Sequence, residues 1–71
     1  MNKETIRNIS AEIAQAYLAG KENITVMGIT LTTQSEMLLA NGCLENILNV
    51  GHHNMTSLPT NIHSLIDKLS Q

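Results

Sequence analysis

One benzenoid side chain, Tyr17, and one thiol, Cys43, serve a chain of 71 residues with no Phe or Trp. Any core must therefore be packed from aliphatic side chains and sulfur, and no disulfide can be closed within the chain. Eight Ile, nine Leu, four Met, two Val and five Ala supply that stock. Ordering each residue costs about 1.5 kcal/mol of conformational entropy, roughly 100 kcal/mol in all, and a small core offsets this only narrowly. Chains this short commonly add a disulfide, a metal or a partner subunit, so self-association is the expected source of further buried area. The length fits one small domain over residues 1–71 and excludes multidomain enzymes, βα barrels and two-lobed cofactor folds.

Six acidic residues against four basic ones leave a formal charge of −2, and only 14% of the chain is charged, against ~25% in an average globular domain. Lys3, Arg7 and Lys21 lie in the first third and Lys68 near the end, with no Lys or Arg between. No basic field exists to draw the chain onto phosphates. The polar surface must come from eight Asn, seven Thr and five Ser, a weakly charged coat that suits burial against another protein. Charged and polar residues interrupt every apolar run in residues 1–20, and nothing approaches the ~18 apolar residues of a membrane span. With a lone thiol expected to sit as a small buried hydrophobe, this predicts a cytoplasmic protein in a reducing setting, without membrane association. The Asn- and Ile-rich composition is of the kind that an AT-rich or mobile source such as a phage would give.

Apolar spacing predicts a mostly helical chain. Ile6, Ile9, Ile13, Ala16 and Tyr17 form one stripe, Asn2 can cap its start, and Gly20 can end it in a left-handed conformation. Residues 24–33 are ambiguous. Seven of the ten are β-branched, which favours a strand, yet Ile24, Met27, Leu31 and Leu38 fall on a helical stripe and alternation breaks at Gly28. A strand here would have to pair with its copy in a second subunit, so helix or irregular structure is the preferred reading, with a short strand over 24–32 as the other. Thr33-Gln34-Ser35-Glu36 reads as a capping box. It opens a stripe of Met37, Ala40, Leu44 and Ile47, flanked by Leu38 and Leu48, which is either one helix over about 34–50 or two helices meeting at Gly42. Gly51 closes it, residues 52–57 read as loop, and Pro59 or Thr60 opens a last helix carrying Ile62, Leu65, Ile66 and Leu69. The expected fold is a small all-α bundle of three to four helices, completed by homo-oligomerisation.

The segment Thr33-Gln34-Ser35-Glu36-Met37-Leu38-Leu39-Ala40-Asn41-Gly42-Cys43, with Leu48 six residues beyond the glycine, resembles the helix-turn-helix of small phage-type repressors. The resemblance implies a turn at Gly42 and a dimeric transcriptional regulator acting through residues 33–50, with Asn46 and Asn49 as base-edge contacts. Against it, the recognition segment would carry Glu45 and no Lys or Arg to anchor phosphates. His52, His53, Cys43 and His63 are metal-ligand types, but adjacent histidines diverge and no chelating spacing such as H-x₃-H or C-x₂-C occurs. No metal or other cofactor is therefore expected. Leu39, Leu44 and Glu45 around Cys43 disfavour a thiolate, the carboxylates are not paired, and the glycines are isolated, so no enzymatic role is expected either.

What remains is apolar surface beyond a single stripe: Leu39, Leu48, Val50, Met27 and Met55. The expectation is a non-enzymatic protein-binding module, regulatory or inhibitory, acting as a homo-oligomer such as a dimer. Met37, Leu44, Ile47 and Leu48 are its expected interface residues.

Overall fold

A computed structural model describes residues 2–51 and 58–70. Helix α1 spans Lys3–Leu18, strands β1 and β2 span Ile24–Val26 and Ile29–Leu31, α2 spans Gln34–Val50 and α3 spans Thr60–Leu69. The described chain is thus mostly helical, with three helices and a two-stranded antiparallel sheet. Among the described residues, no helix is long and apolar enough to cross a membrane.

Each helix end is written in the residues beside it. The Asn2 side chain accepts from the amides of Glu4 (2.9 Å) and Thr5 (3.2 Å), satisfying two of the donors that a helix start leaves open. At the far end Gly20 has φ +75°, and the amides of Gly20 and Lys21 donate back to the carbonyls of Tyr17 and Ala16. This is the paired bonding of a Schellman motif, which needs the left-handed residue that glycine supplies. Gly51 also ends α2 in a left-handed conformation, φ +83°, with its amide donating to the Ile47 carbonyl at 2.8 Å.

At the start of α2 the Thr33 hydroxyl accepts from the Glu36 amide at 3.1 Å. The return contact of this box goes one residue further back, with the Thr32 amide (2.7 Å) and hydroxyl (3.0 Å) both donating to Glu36 Oε1. The Thr32 amide, ahead of the Thr32 hydroxyl and the Asn61 side-chain amide (3.5 Å), holds the Glu36 carboxyl below its ordinary pKa. A depressed carboxylate stabilises the fold above its unfolded pKa, about 4.3, and the contribution is lost as pH falls through the folded value. Acid titration followed by circular dichroism should show this, and Glu36→Gln should flatten the acid limb. An unchanged acid limb would show that the box does not act through charge.

Residues 24–31 depart from the preferred reading of helix or irregular structure. They form a hairpin within the chain, so no second subunit is needed to pair the strand. Ile24 faces Leu31 and Val26 faces Ile29. The break in alternation at Gly28 is the two-residue loop itself. Met27 and Gly28 both have positive φ, +50° and +77°, the pattern of a tight hairpin turn whose twist matches the strands. Because the loop is two residues long, Ile24, Val26, Ile29 and Leu31 share one face, with Val26 and Leu31 buried. On the opposite face the Thr25 and Thr30 hydroxyls bond at 2.9 Å. The Lys68 ammonium donates to the Met27 carbonyl at 2.8 Å, tying the tip to α3.

Gly42 does not make a turn, so the bihelical unit over 33–50 implied by the repressor resemblance is not formed: α2 is continuous through it. A helix-interior glycine costs about 1 kcal/mol relative to alanine. Packing of the inner face outweighs this, because Met37, Ala40, Cys43, Leu44 and Ile47 are all buried on the two sides of the glycine. They join Ile6, Ile13 and Ala16 of α1, Val26 and Leu31 of the hairpin, and Ile62, Leu65, Ile66 and Leu69 of α3 in one core. Helix α1 packs chiefly along α2, and α3 closes over β2.

Candidate functional site

Helix α2 has two apolar faces, of which the described residues cover one. The spacing 35, 38, 39, 42, 46 places these residues on the side away from the core, where Leu38 is 55% exposed and Leu39 43%. A Cβ built on Gly42 would meet nothing within 4 Å. The absent side chain leaves a depression lined by Ser35, Leu38, Leu39, Gly42, Cys43 and Asn46. Beside it lies a cleft of about 250 Å³ between α1 and α2, lined by Ala14, Tyr17, Leu18, Met37, Leu38 and Asn41. Leu38 belongs to both, so the two make one continuous strip, and at its α1 edge Leu18 is 82% exposed. Isolated surface leucines need no explanation, whereas a contiguous apolar patch marks a contact surface.

The strip is held at a fixed height by the pairing of α1 and α2. Ser10, the buried polar residue of the described core, donates its hydroxyl to Asn41 Oδ1 at 2.5 Å. That bond pins the residue beside Gly42 against α1 and fixes which side of α2 faces out. None of the residues lining the depression and the cleft carries an ionised side chain. Burial pushes the Cys43 thiol above its ordinary pKa, so it forms a neutral wall rather than a nucleophile. Among the residues of α2, Glu36 and Glu45 are acidic and none is basic.

The expected interface residues fall elsewhere than predicted. Met37, Leu44 and Ile47 are buried in the chain's own core, with Met37 also lining the α1–α2 cleft; Leu48 is half-buried and packs against that core. The three-then-four spacing marked a stripe that is covered, and spacing alone does not say by what. Leu39, Val50 and Met27 are exposed, as the surplus of aliphatic residues implied; Met55 lies outside the described residues. Leu38, expected at the flank of the inner stripe, faces out. Leu18 is not marked by the helical periodicity; its signal in the sequence is a leucine next to Tyr17 and off the Ile6–Ile13–Tyr17 stripe.

Asn46 lines the depression and Asn49 is exposed beyond it. His63 Nδ1 lies 3.1 Å from Asp67 Oδ2, one turn along α3, and Cys43 is buried in α2. His52 and His53 lie outside the described residues. Among the described residues no three His, Cys, Asp or Glu side chains are gathered as metal ligands would be. The chemistry this surface offers is apolar burial edged by amide and hydroxyl hydrogen bonds. No family model, curated protein or solved structure matches the chain.

Proposed function

We propose that this chain is a non-enzymatic protein-binding module that works as a small homo-oligomer in the cytoplasm and regulates or inhibits another protein by covering part of its surface. The observation that carries the reading is the uncharged strip formed by Leu18, Leu38, Leu39 and the gap at Gly42. An apolar centre with a polar rim, here Ser35, Asn41 and Asn46, matches protein interfaces, where charged residues are depleted at the core. Duplex DNA, by contrast, is held through phosphate contacts that need cations, and α2 carries two carboxylates and no Lys or Arg.

A mobility-shift titration at low and high salt, run beside light scattering, tests the reading. It predicts mass that rises with protein concentration and no DNA retardation that weakens steeply with salt. A chain that stays monomeric while binding DNA in a sequence-specific, salt-sensitive manner would replace it with the transcriptional-regulator alternative. The regulatory part predicts that a protein co-purifies with the assembled wild-type chain and is lost when Leu39→Glu breaks the assembly. Retention of that protein by a monomeric Leu39→Glu variant would show that the single chain binds its target and would overturn the homo-oligomeric mode of action.

A further inference from the structure

We propose that the occupant of the outer face of α2 is a second copy of this chain, the two helices crossing at Gly42. The inference rests on the homo-oligomer reading above and adds where the copy sits. An interface between identical chains about a two-fold axis must be complementary to itself, with the same patch supplying both projections and recesses. The outer face of α2 has both. In helix packing a projecting side chain enters a hole bounded by residues at i, i+3, i+4 and i+7 of the facing helix. Residues 35, 38, 39 and 42 bound one such hole, and 39, 42, 43 and 46 bound the next. Gly42 is common to both and empty above, and Leu38 and Leu39 are the projections beside them.

The symmetry explains why one glycine suffices. A residue near the two-fold axis meets its own copy, so a single Gly42 clears the crossing point on both sides. Within the single chain this glycine has no evident purpose. It makes no turn and has no positive φ, and nothing among the described residues would clash with a side chain there.

Charge and area agree with a second copy. The residues lining the strip are neutral, so covering them with a second copy takes no charge out of water. Helix α2 has 17 residues, so a strip of α2 and the adjoining ridge of α1 measures about 25 by 20 Å, roughly 500 Å² in projection. Stable interfaces take about 600–1,000 Å² of accessible surface from each partner. The strip reaches the lower end of that range once the relief of its side chains is counted, so association in the micromolar range is expected.

Sedimentation equilibrium of the full chain from about 5 to 500 μM spans that range. The average mass should climb from 7.8 kDa toward twice that value. Leu39→Glu and Gly42→Leu should each weaken association at least about tenfold, with helical content and dilute melting temperature retained because both positions are open to solvent. Should either variant lose its fold, Leu38→Gln tests the same face with a smaller change. A wild-type mass of 7.8 kDa throughout would overturn the homo-oligomer reading and this inference together. Wild-type association that the folded variants leave unchanged would overturn the placement on α2 alone.

Discussion

Truncating Leu44 to alanine should cost about 2–5 kcal/mol of folding stability, while the same change at Leu39, five residues earlier on the same helix, should stay within about 0.5 kcal/mol. Leu44 is fully buried and Leu39 is 43% exposed. Removing the Leu44 side chain leaves a cavity in the shared core that the aliphatic neighbours cannot fill without leaving their rotamers. A domain of this size has about 4–10 kcal/mol of total stability, so Leu44→Ala should be marginal at ambient temperature and Leu44→Glu should not fold. At Leu39 the truncation removes surface that water already reaches, and alanine is the better helix former. Urea unfolding of both variants reads the difference. Equal losses at the two positions would mean that the inner and outer faces of α2 have been exchanged.

The hairpin tip should respond in opposite directions to changes at its two residues. Gly28 at φ +77° occupies the left-handed region, so Gly28→Val should cost about 2 kcal/mol, combining the left-handed penalty of about 1–2 kcal/mol with β-branching. Met27 is already an unbranched side chain in that region, at φ +50°. Asparagine tolerates this backbone and is favoured at the first position of such turns, so Met27→Asn should raise stability by up to about 1 kcal/mol. Melting temperatures of the two variants check both signs together. A stabilised Gly28→Val or a destabilised Met27→Asn would contradict the turn as described.

The same tip shows why part of the fold could be read from the sequence and part could not. The helices were legible because their apolar residues repeat with the period of a helix, and because Asn2, Gly20, Thr33 and Gly51 are residue types that end helices for stated stereochemical reasons. The hairpin was obscured by its own loop. Two residues reset the alternation, and Met-Gly lacks the Asn-Gly or Asp-Gly signature that announces such a turn. Gly42 misled in the other direction. Its composition signals a break, but continuous burial of Met37, Ala40, Leu44 and Ile47 carries the helix past it, a case of tertiary packing outweighing local preference.

The contact surface was the least legible feature, and the reason is geometric. A buried stripe and a partner-covered stripe have the same spacing, so Met37, Leu44 and Ile47 could not be told apart from interface residues until the position of α1 was known. Once α1 is placed, by its own stripe and by the Ser10–Asn41 bond, the apolar residues left over are Leu18, Leu38 and Leu39. These lie off the stripes that the periodicity reveals, so the useful question for a chain this short is which large aliphatic residues the helical pattern leaves unassigned.

The central claim is that the outer face of α2 is a contact surface and its inner face is core. Amide chemical shifts recorded by NMR across a dilution series of the unmodified chain address it residue by residue. The account predicts concentration-dependent shifts at Ser35, Leu38, Leu39, Gly42 and Asn46, extending to Leu18, with α3 unaffected. Shifts that do not change on dilution, or changes confined to α3 and the hairpin, would contradict it.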